Sequence, residues 1–272
     1  MLLKGGLLYS LLHLGGFPGD VEHYSRRTAG CASVLELGCG NGRLAEALLG
    51  GAGRDSPLER YLGVDHCLEF VEAAGRRLGA ASAGTAQFVH ADLAAPCSAA
   101  AHDAVVLAAN TLFCTPRHAE VLRRCADAVP AGGRLELDVY NALPWHDEAA
   151  AAADDAAYAA EEDDGLWAAA EPAPEELLVR VDDEQGASWR VYEHEPVVDP
   201  PPGRRIRCRY TFVAEGGERH AEELVHHYLL PEELVRLVDA AGFEIESILG
   251  DFEGKVFHPD ESEHVVLSAR KR

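Results

Sequence analysis

The sequence is poor in basic residues. It holds 24 Lys and Arg against 46 Asp and Glu, which gives a formal net charge of −22. A field of that sign repels phosphate backbones, so the charge argues against DNA or RNA as a substrate or partner. It favours neutral or cationic ligands, although an acidic surface can also serve solubility alone. We therefore expect no nucleic-acid partner.

The sequence also lacks a long uninterrupted apolar run. Its first 14 residues, MLLKGGLLYSLLHL, are apolar but are broken by Gly5 and Gly6, and no A-x-A cleavage pattern follows. This stretch is too short and too interrupted to span a bilayer or to resemble a secretory signal. We predict an amphipathic helix over residues 7–14, no membrane partner and a cytoplasmic location.

Patterns typical of metal sites are missing as well. The seven cysteines form no C-x-x-C pair and are odd in number, and the thirteen histidines show no zinc-type grouping. Cysteines of this kind are typical of buried thiols in a reducing compartment. We predict no metal site.

What the chain does have is a regular alternation of strands and helices. With 272 residues and 47% hydrophobic content, it can bury a full core, and one large domain is the default expectation. Apolar strands are separated by helical segments, which predicts a doubly wound parallel sheet. After a first strand that begins at Val34, the predicted strands are Tyr61–Val64, Ala86–His90, Ala104–Ala109 and Arg134–Val139.

The alternation stops after the fifth strand. Residues 147–164 are almost entirely alanine and acid, which predicts an exposed helix or a mobile segment. Three strands separated by turn signals follow, at 189–198, 205–214 and 222–229, and they predict an antiparallel insert. A helix over 231–241 and two closing strands complete the chain.

The most informative segment is VLELGCGNGR, residues 34–43. Glycines at 38, 40 and 42 let a backbone turn sharply and approach a ligand, which the following helix then meets with its N-terminus. The third glycine comes one residue too early for the dinucleotide fingerprint G-x-G-x-x-G. The segment resembles motif I of the class I S-adenosylmethionine (SAM)-dependent methyltransferases. An ordinary glycine-rich turn is the alternative.

The resemblance implies a fold and a division of the chain. The fold is α/β, a doubly wound Rossmann-like seven-stranded sheet of order 3-2-1-4-5-7-6, with an antiparallel β insert near the acceptor site. The implied parts are an N-terminal helical cap (1–30), a SAM-binding core (31–146), the acidic alanine-rich segment (147–187), the β insert or lid (188–230) and the C-terminal part of the core (231–272).

The resemblance also implies cofactor-binding residues. Asp65, which ends the second strand, would accept hydrogen bonds from the ribose hydroxyls, with His66 beside it; a helix cap is the alternative. Asp92 and the amide of Leu93 would meet the adenine, unless Asp92 only caps its loop. Glu36 would lie near the SAM amino group. The remaining candidates are Tyr9, Gly38, Cys39, Gly40 and Asn110, and we expect Gly38, Gly40 and Gly42 to tolerate no side chain facing SAM.

Three residues are candidates for handling the acceptor. Tyr24 lies in the leader before motif I, Tyr140 closes the fifth strand in L-D-V-Y-N, and His227 lies on the predicted insert. Each can orient or deprotonate an acceptor, and each can equally be structural. Asp138, Asn141, His226 and Tyr228 lie beside them in the sequence and share the same alternatives.

These observations predict an enzyme that transfers a methyl group from SAM to a small-molecule acceptor, with an amine nitrogen favoured by the acidic charge. An O-methyltransferase, a peptide or protein methyltransferase and a non-catalytic SAM-binding protein remain alternatives. A nicotinamide-dependent oxidoreductase is disfavoured by the glycine spacing. The insert can enclose the acceptor or help to build a homodimer.

Overall fold

The computed structural model describes residues 16–51, 57–79, 84–95, 101–156, 176–182, 188–194, 196–199 and 201–272. The predicted helix over 7–14, with Tyr9, and residues 157–175 of the acidic segment lie outside the described residues. The chain divides into two compact units. One contains the described residues up to Asn141 together with Leu229–Arg272, and we call it the sheet unit. The other contains Ala142–Tyr228, and we call it the insert unit.

The sheet unit is built on seven strands in the order β11-β12-β5-β4-β1-β2-β3. Strands β1 to β5 are parallel to one another, and β12 pairs antiparallel with both β5 and β11. This confirms the predicted Rossmann-like sheet. The strands are β1 Ser33–Leu37, β2 Arg60–Asp65, β3 Ala86–His90, β4 Ala104–Leu107, β5 Arg134–Tyr140, β11 Phe243–Leu249 and β12 His264–Lys271.

Helices cover the faces of this sheet, so its central strands are buried. Every residue of β1 and β4 is buried, as expected for parallel strands covered on both sides. The helices are α1 Asp20–Arg27, α2 Arg43–Leu49, α3 Leu68–Leu78, α4 His118–Ala128 and α6 Pro231–Ala240, and a short 3-10 helix spans Thr111–Cys114.

Helix α1 is anchored in the core rather than lying loosely on the surface. Its Tyr24 is fully buried and packs in one cluster with Leu44 and Leu48 of α2, Val34 of β1 and Phe252. Full burial of each such side chain stabilises the fold by roughly 1.5–3 kcal/mol. The helix preceding the glycine motif is thus part of the sheet unit's core.

The insert unit contains helix α5, Leu143–Ala156, and an antiparallel sheet of five strands rather than the predicted three. Its core consists of Trp189, Val191, Tyr210, Phe212 and Ala214. The strands are β6 Glu176–Asp182, β7 Ser188–Glu193, β8 Val197–Val198, β9 Arg205–Ala214 and β10 Arg219–His227.

Two local features account for the extra strands. The segment ELLVRVD, which forms β6, falls within the range that the sequence assigned to the acidic segment 147–187. The predicted strand 189–198 is split into β7 and β8, with Pro196 between them, and proline has no N–H to donate to a strand ladder. Within the described part of the chain, no helix is long and apolar enough to cross a bilayer.

Candidate cofactor site

The glycine motif forms the connection from β1 to α2, and its three glycines have different surroundings. All three have positive φ, at 76° for Gly38, 52° for Gly40 and 83° for Gly42. A Cβ at Gly38 would lie 2.3 Å from Thr111 Oγ1, and one at Gly42 would lie 3.1 Å from the Ala74 Cβ. A Cβ at Gly40 would have nothing within 4 Å.

The three glycines therefore differ in what a side chain would meet. A side chain at Gly38 would overlap Thr111, and one at Gly42 would crowd Ala74. Gly40 alone of the three borders open space, which a ligand could fill. Its conformation also favours glycine, because an L side chain is strained at this φ.

Asp65 joins the glycine loop to the next helix. Its Oδ2 accepts a hydrogen bond from the Gly40 amide at 2.9 Å, and its Oδ1 accepts one from the Cys67 amide, also at 2.9 Å, just before α3 begins. The carboxylate is buried, yet each oxygen has a second lone pair. The capping geometry is therefore present, and the same oxygens retain capacity for further donors. His66 is exposed, with Nδ1 3.6 Å from Asp65 Oδ1.

Asp92 and Leu93 follow β3, which is the edge strand next to β2. Asp92 is exposed, its Oδ1 accepts a hydrogen bond from the Ala94 amide at 2.8 Å, and its other oxygen forms an ion pair with Arg117. The Leu93 side chain is buried. Asp92 thus has the geometry of a loop-capping aspartate in this structure.

Glu36 and Cys39 both point into protein. Glu36 is buried in β1 and accepts a hydrogen bond from the Tyr61 hydroxyl. Burial raises the pKa of Glu36 to about 7, although the Tyr61 hydrogen bond and the nearby Arg43 act in the opposite direction. Cys39 Sγ lies against Gly63, where a Cβ would approach it to 2.9 Å, and burial raises the pKa of this thiol far above its usual range.

Asn110 and Tyr140 lie together, at the carboxyl ends of the adjacent strands β4 and β5. Asn110 Oδ1 accepts a hydrogen bond from the Tyr140 amide at 2.7 Å. The Tyr140 ring packs edge-on against Phe113, with ring centroids 5.0 Å apart. Because the ligands of such sheets bind beyond the carboxyl ends of the strands, this pair lies where a ligand is expected.

Tyr24 lies in the protein interior, where it could not contact an acceptor. It is fully buried, and its hydroxyl donates a hydrogen bond to Asp138 Oδ1. Burial raises the pKa of Tyr24, and the neighbouring Asp138 raises it further. A hydroxyl that is enclosed and already committed to a carboxylate is suited to holding α1 in place, so the catalytic expectation for Tyr24 is replaced by a structural one.

Asp20 and Arg43 help to organise the site but did not stand out in the sequence, whereas Asp138 was already a candidate. Arg43, which begins α2 directly after the glycine loop, forms a two-pronged ion pair with Asp20 at the start of α1, at 3.0 and 2.5 Å. Asp138 accepts hydrogen bonds from the amides of Ala109 and Asn110. The position of Asp20 in the sequence P-G-D, where an acid begins a helix, was the only available signal.

His227 belongs to the insert unit. It ends β10 opposite Arg205 of β9. Burial and the charge of Arg205 lower its pKa. The neighbouring Tyr228 is fully buried, its hydroxyl lies 2.9 Å from His146 Nδ1, and the Arg204 guanidinium lies over its ring.

Among the described residues, no group of three or more His, Cys, Asp or Glu side chains is arranged to hold a metal ion. The groups at this site that could bind a ligand are the glycine loop, the buried carboxylates and the backbone amides around them. These are the groups expected of a site for an organic cofactor with hydroxyl and amine groups.

Comparison with known proteins bears on the fold and the class of domain. Residues 34–133 match the family model of a methyltransferase domain. No curated protein sequence matches the chain.

Solved structures of methyltransferases share the fold over the whole chain. The sugar N-methyltransferase KedS8 from a Streptoalloteichus species has a TM-score of 0.68 at 19% identity, covering 100% of this chain and 97% of that one. The CcbJ methyltransferase from Streptomyces caelestis has a TM-score of 0.65 at 20% sequence identity, and the match covers 100% of both chains. CalS10, an amino pentose methyltransferase from Micromonospora echinaspora, was solved with SAM bound. It has a TM-score of 0.63 at 16% sequence identity, and the match covers 100% of this chain and 99% of that one.

At these identities the structural likeness establishes the fold. The match to the methyltransferase-domain model spans residues 34–133 and agrees with the predicted family over that part of the chain.

Proposed function

We propose that this chain is a class I SAM-dependent methyltransferase that transfers a methyl group to the amine nitrogen of a small molecule. The observation that carries the proposal is the glycine loop, in which Gly40 borders open space beside the buried Asp65 carboxylate. Three similar structures are named as methyltransferases, and two of these names specify a sugar nitrogen or an amino pentose. The net charge of −22 also favours a basic acceptor.

In this proposal the loop and the strand ends hold SAM. Asp65 would accept hydrogen bonds from the ribose hydroxyls with the lone pairs left over from its two amide contacts. The Leu93 amide and Asp92 would meet the adenine, which requires Asp92 to share its contact with Arg117. Glu36 is enclosed beside Tyr61, so it would reach the SAM amino group through a water rather than directly.

SAM supplies an electrophilic methyl group on a cationic sulfonium. The amine lone pair forms the new N–C bond while the C–S bond breaks, its electron pair stays on sulfur, and the amine then loses a proton. The protein must align the amine with the methyl group and exclude water, and alignment alone can contribute about 7–11 kcal/mol. In the sheet unit, Tyr140 is the proposed residue for orienting the amine or accepting its proton, and the same role for His227 stays a prediction from the sequence.

A two-stage experiment tests the proposal. Titration calorimetry with SAM and with S-adenosylhomocysteine comes first, and micromolar binding of both is the expected result. Pairs of acceptors that differ only in an amine or a hydroxyl, such as an amino sugar and its hydroxy counterpart, are then incubated with SAM. Mass spectrometry should show a methyl gained by the amine of each accepted pair.

Each other outcome points to one alternative. Methylation of the hydroxyl partner would make the protein an O-methyltransferase, and methylation confined to peptides would make it a peptide methyltransferase. Tight SAM binding without transfer to any acceptor would indicate a binding protein. Binding of a nicotinamide cofactor without binding of SAM would overturn the assignment of the glycine loop.

A further inference from the structure

Two consecutive residues after β4 have a backbone conformation that normally requires glycine. Ala109 has a φ of 54° and Asn110 has a φ of 63°, and among the described residues these are the non-glycine positions with positive φ. A left-handed conformation is unfavourable for alanine, because its Cβ crowds the following carbonyl oxygen. Strain of this kind persists only where the surroundings impose it, and it concentrates at functional sites.

The surroundings that impose it centre on the carboxylate of Asp138. Its Oδ1 accepts a hydrogen bond from the Ala109 amide at 2.8 Å, and its Oδ2 accepts a longer one from the Asn110 amide at 3.4 Å. Two successive amides therefore converge on one buried carboxylate, as in an anion-binding nest. The Tyr24 hydroxyl donates to the same carboxylate. Asp138 is 1% exposed, so these groups enclose it.

The turn determines where the next residue lies against the glycine loop. Thr111 follows Asn110, and its Oγ1 donates a hydrogen bond to the Ala108 carbonyl at 2.8 Å. The same oxygen occupies the space that a Cβ on Gly38 would need, 2.3 Å from that position. A continuous path of contacts thus runs from Asp138 through the strained turn and Thr111 to the glycine motif.

We propose that Asp138 is a positioning residue for SAM binding: it holds the Ala109–Asn110 turn in its strained conformation and thereby sets the shape of the glycine loop. The inference rests on the proposed function, in which that loop binds SAM. Asp138 itself is enclosed by protein. Its effect on the ligand passes through the turn and Thr111.

The test compares two variants that each alter a buried carboxylate contact of β5. Asp138→Asn removes one acceptor oxygen, so the two amides and the Tyr24 hydroxyl compete for the oxygen that remains. Ser268→Ala is the matched control. It removes the hydroxyl that donates to Glu136, a buried carboxylate two residues earlier on the same strand, at 2.5 Å. Glu136 contacts Arg27 and lies outside the path to the glycine loop.

Two measurements are made on each variant. The dissociation constant of S-adenosylhomocysteine is measured by calorimetry well below the melting temperature, and amide hydrogen exchange is followed in a peptide covering residues 107–115. We expect Asp138→Asn to bind about tenfold more weakly, as for the loss of one charge-assisted hydrogen bond, and to exchange faster at Ala109 and Asn110. Ser268→Ala should melt earlier but bind within about twofold of the wild type.

Adding Ala109→Gly to Asp138→Asn provides a second arm, because glycine adopts a positive φ without an anchor. This double variant should recover part of the lost affinity, and it serves as the test if Asp138→Asn does not fold alone. Wild-type affinity and exchange in Asp138→Asn would overturn the inference. Equal loss of affinity in Ser268→Ala would also overturn it, since general destabilisation would then suffice.

Failure of the proposed function has a separate signature. If the wild type binds no S-adenosylhomocysteine, the glycine loop does not serve SAM. The exchange rates at Ala109 and Asn110 still decide whether Asp138 anchors the turn.

Discussion

Replacing Gly40 with valine tests the cofactor site most directly, because the structure separates its effect on the fold from its effect on the ligand. A Cβ at Gly40 would have no atom of the described residues within 4 Å, so we expect the φ of 52° to be the main cost to folding. That conformation costs an L residue roughly 1–2 kcal/mol, and a β-branched residue suits it least. For a protein of this size, each kcal/mol lowers the melting temperature by about 2–4 °C.

The effect on the ligand should be larger than this. Valine at position 40 would project into the space proposed for SAM, and forcing a side chain into occupied space costs roughly 1–3 kcal/mol. This corresponds to a dissociation constant raised by about 5- to 150-fold. Calorimetry with S-adenosylhomocysteine, at a temperature where the variant is folded, measures the change.

Gly132→Val is the matched control in the same unit. Gly132 also has a positive φ, of 78°, and also has nothing within 4 Å of its Cβ position, but it lies in the turn before β5. The Gly132→Val variant should lower the melting temperature to a similar extent and leave the affinity for S-adenosylhomocysteine unchanged. The reasoning is refuted if Gly40→Val retains wild-type affinity, or if both variants lose affinity equally.

Three further changes have predictable results. Asp65→Ala should weaken SAM binding by about 1–3 kcal/mol in calorimetry if Asp65 meets the ribose, whereas an unchanged affinity would leave it a helix cap. Asp20→Asn, which leaves Arg43 without its carboxylate, should lower the free energy of unfolding in urea by about 3 kcal/mol, and Arg43→Met in the same chain should recover part of this. Burial lowers the pKa of His23 to about 4, so stability should fall as the pH drops from 6.5 towards 4, because the unfolded chain then binds the extra proton. Between about pH 7.5 and pH 5, the free energy of unfolding measured in urea should fall by about 2 kcal/mol less in His23→Phe than in the wild type. The same pH dependence in both proteins would contradict this.

The parts of the fold that follow from local pattern were predictable. Strands such as Ala104–Leu107 are short apolar runs, and the glycine motif places a sharp turn before a helix, so the sheet and its cofactor loop could both be inferred. The insert was only partly predictable. The strand Glu176–Asp182 lies next to a long acidic stretch whose composition dominated the interpretation.

The supporting contacts of the site could not be predicted, because they join residues that are far apart in the sequence. Tyr24 and Asp138 are separated by 114 positions, and Ala109 and Asp138 by 29. Tyr24 could be recognised as relevant from its place before motif I, but only the structure shows that its hydroxyl is committed to a buried carboxylate. The reason for Gly38 was likewise hidden, since Thr111 lies on another strand connection.

The position of β12 has a consequence for the order in which this protein folds. It is the last strand along the chain, yet it lies between β5 and β11 in the interior of the sheet. Until residues 264–271 leave the ribosome, β5 has an open edge with unpaired backbone groups, of the kind that invites pairing with other chains. The sheet therefore closes late, through contacts between residues more than a hundred positions apart, which is typical of slow folding. A fragment ending at residue 141 would keep the whole glycine loop and still expose this edge, so we expect it to aggregate.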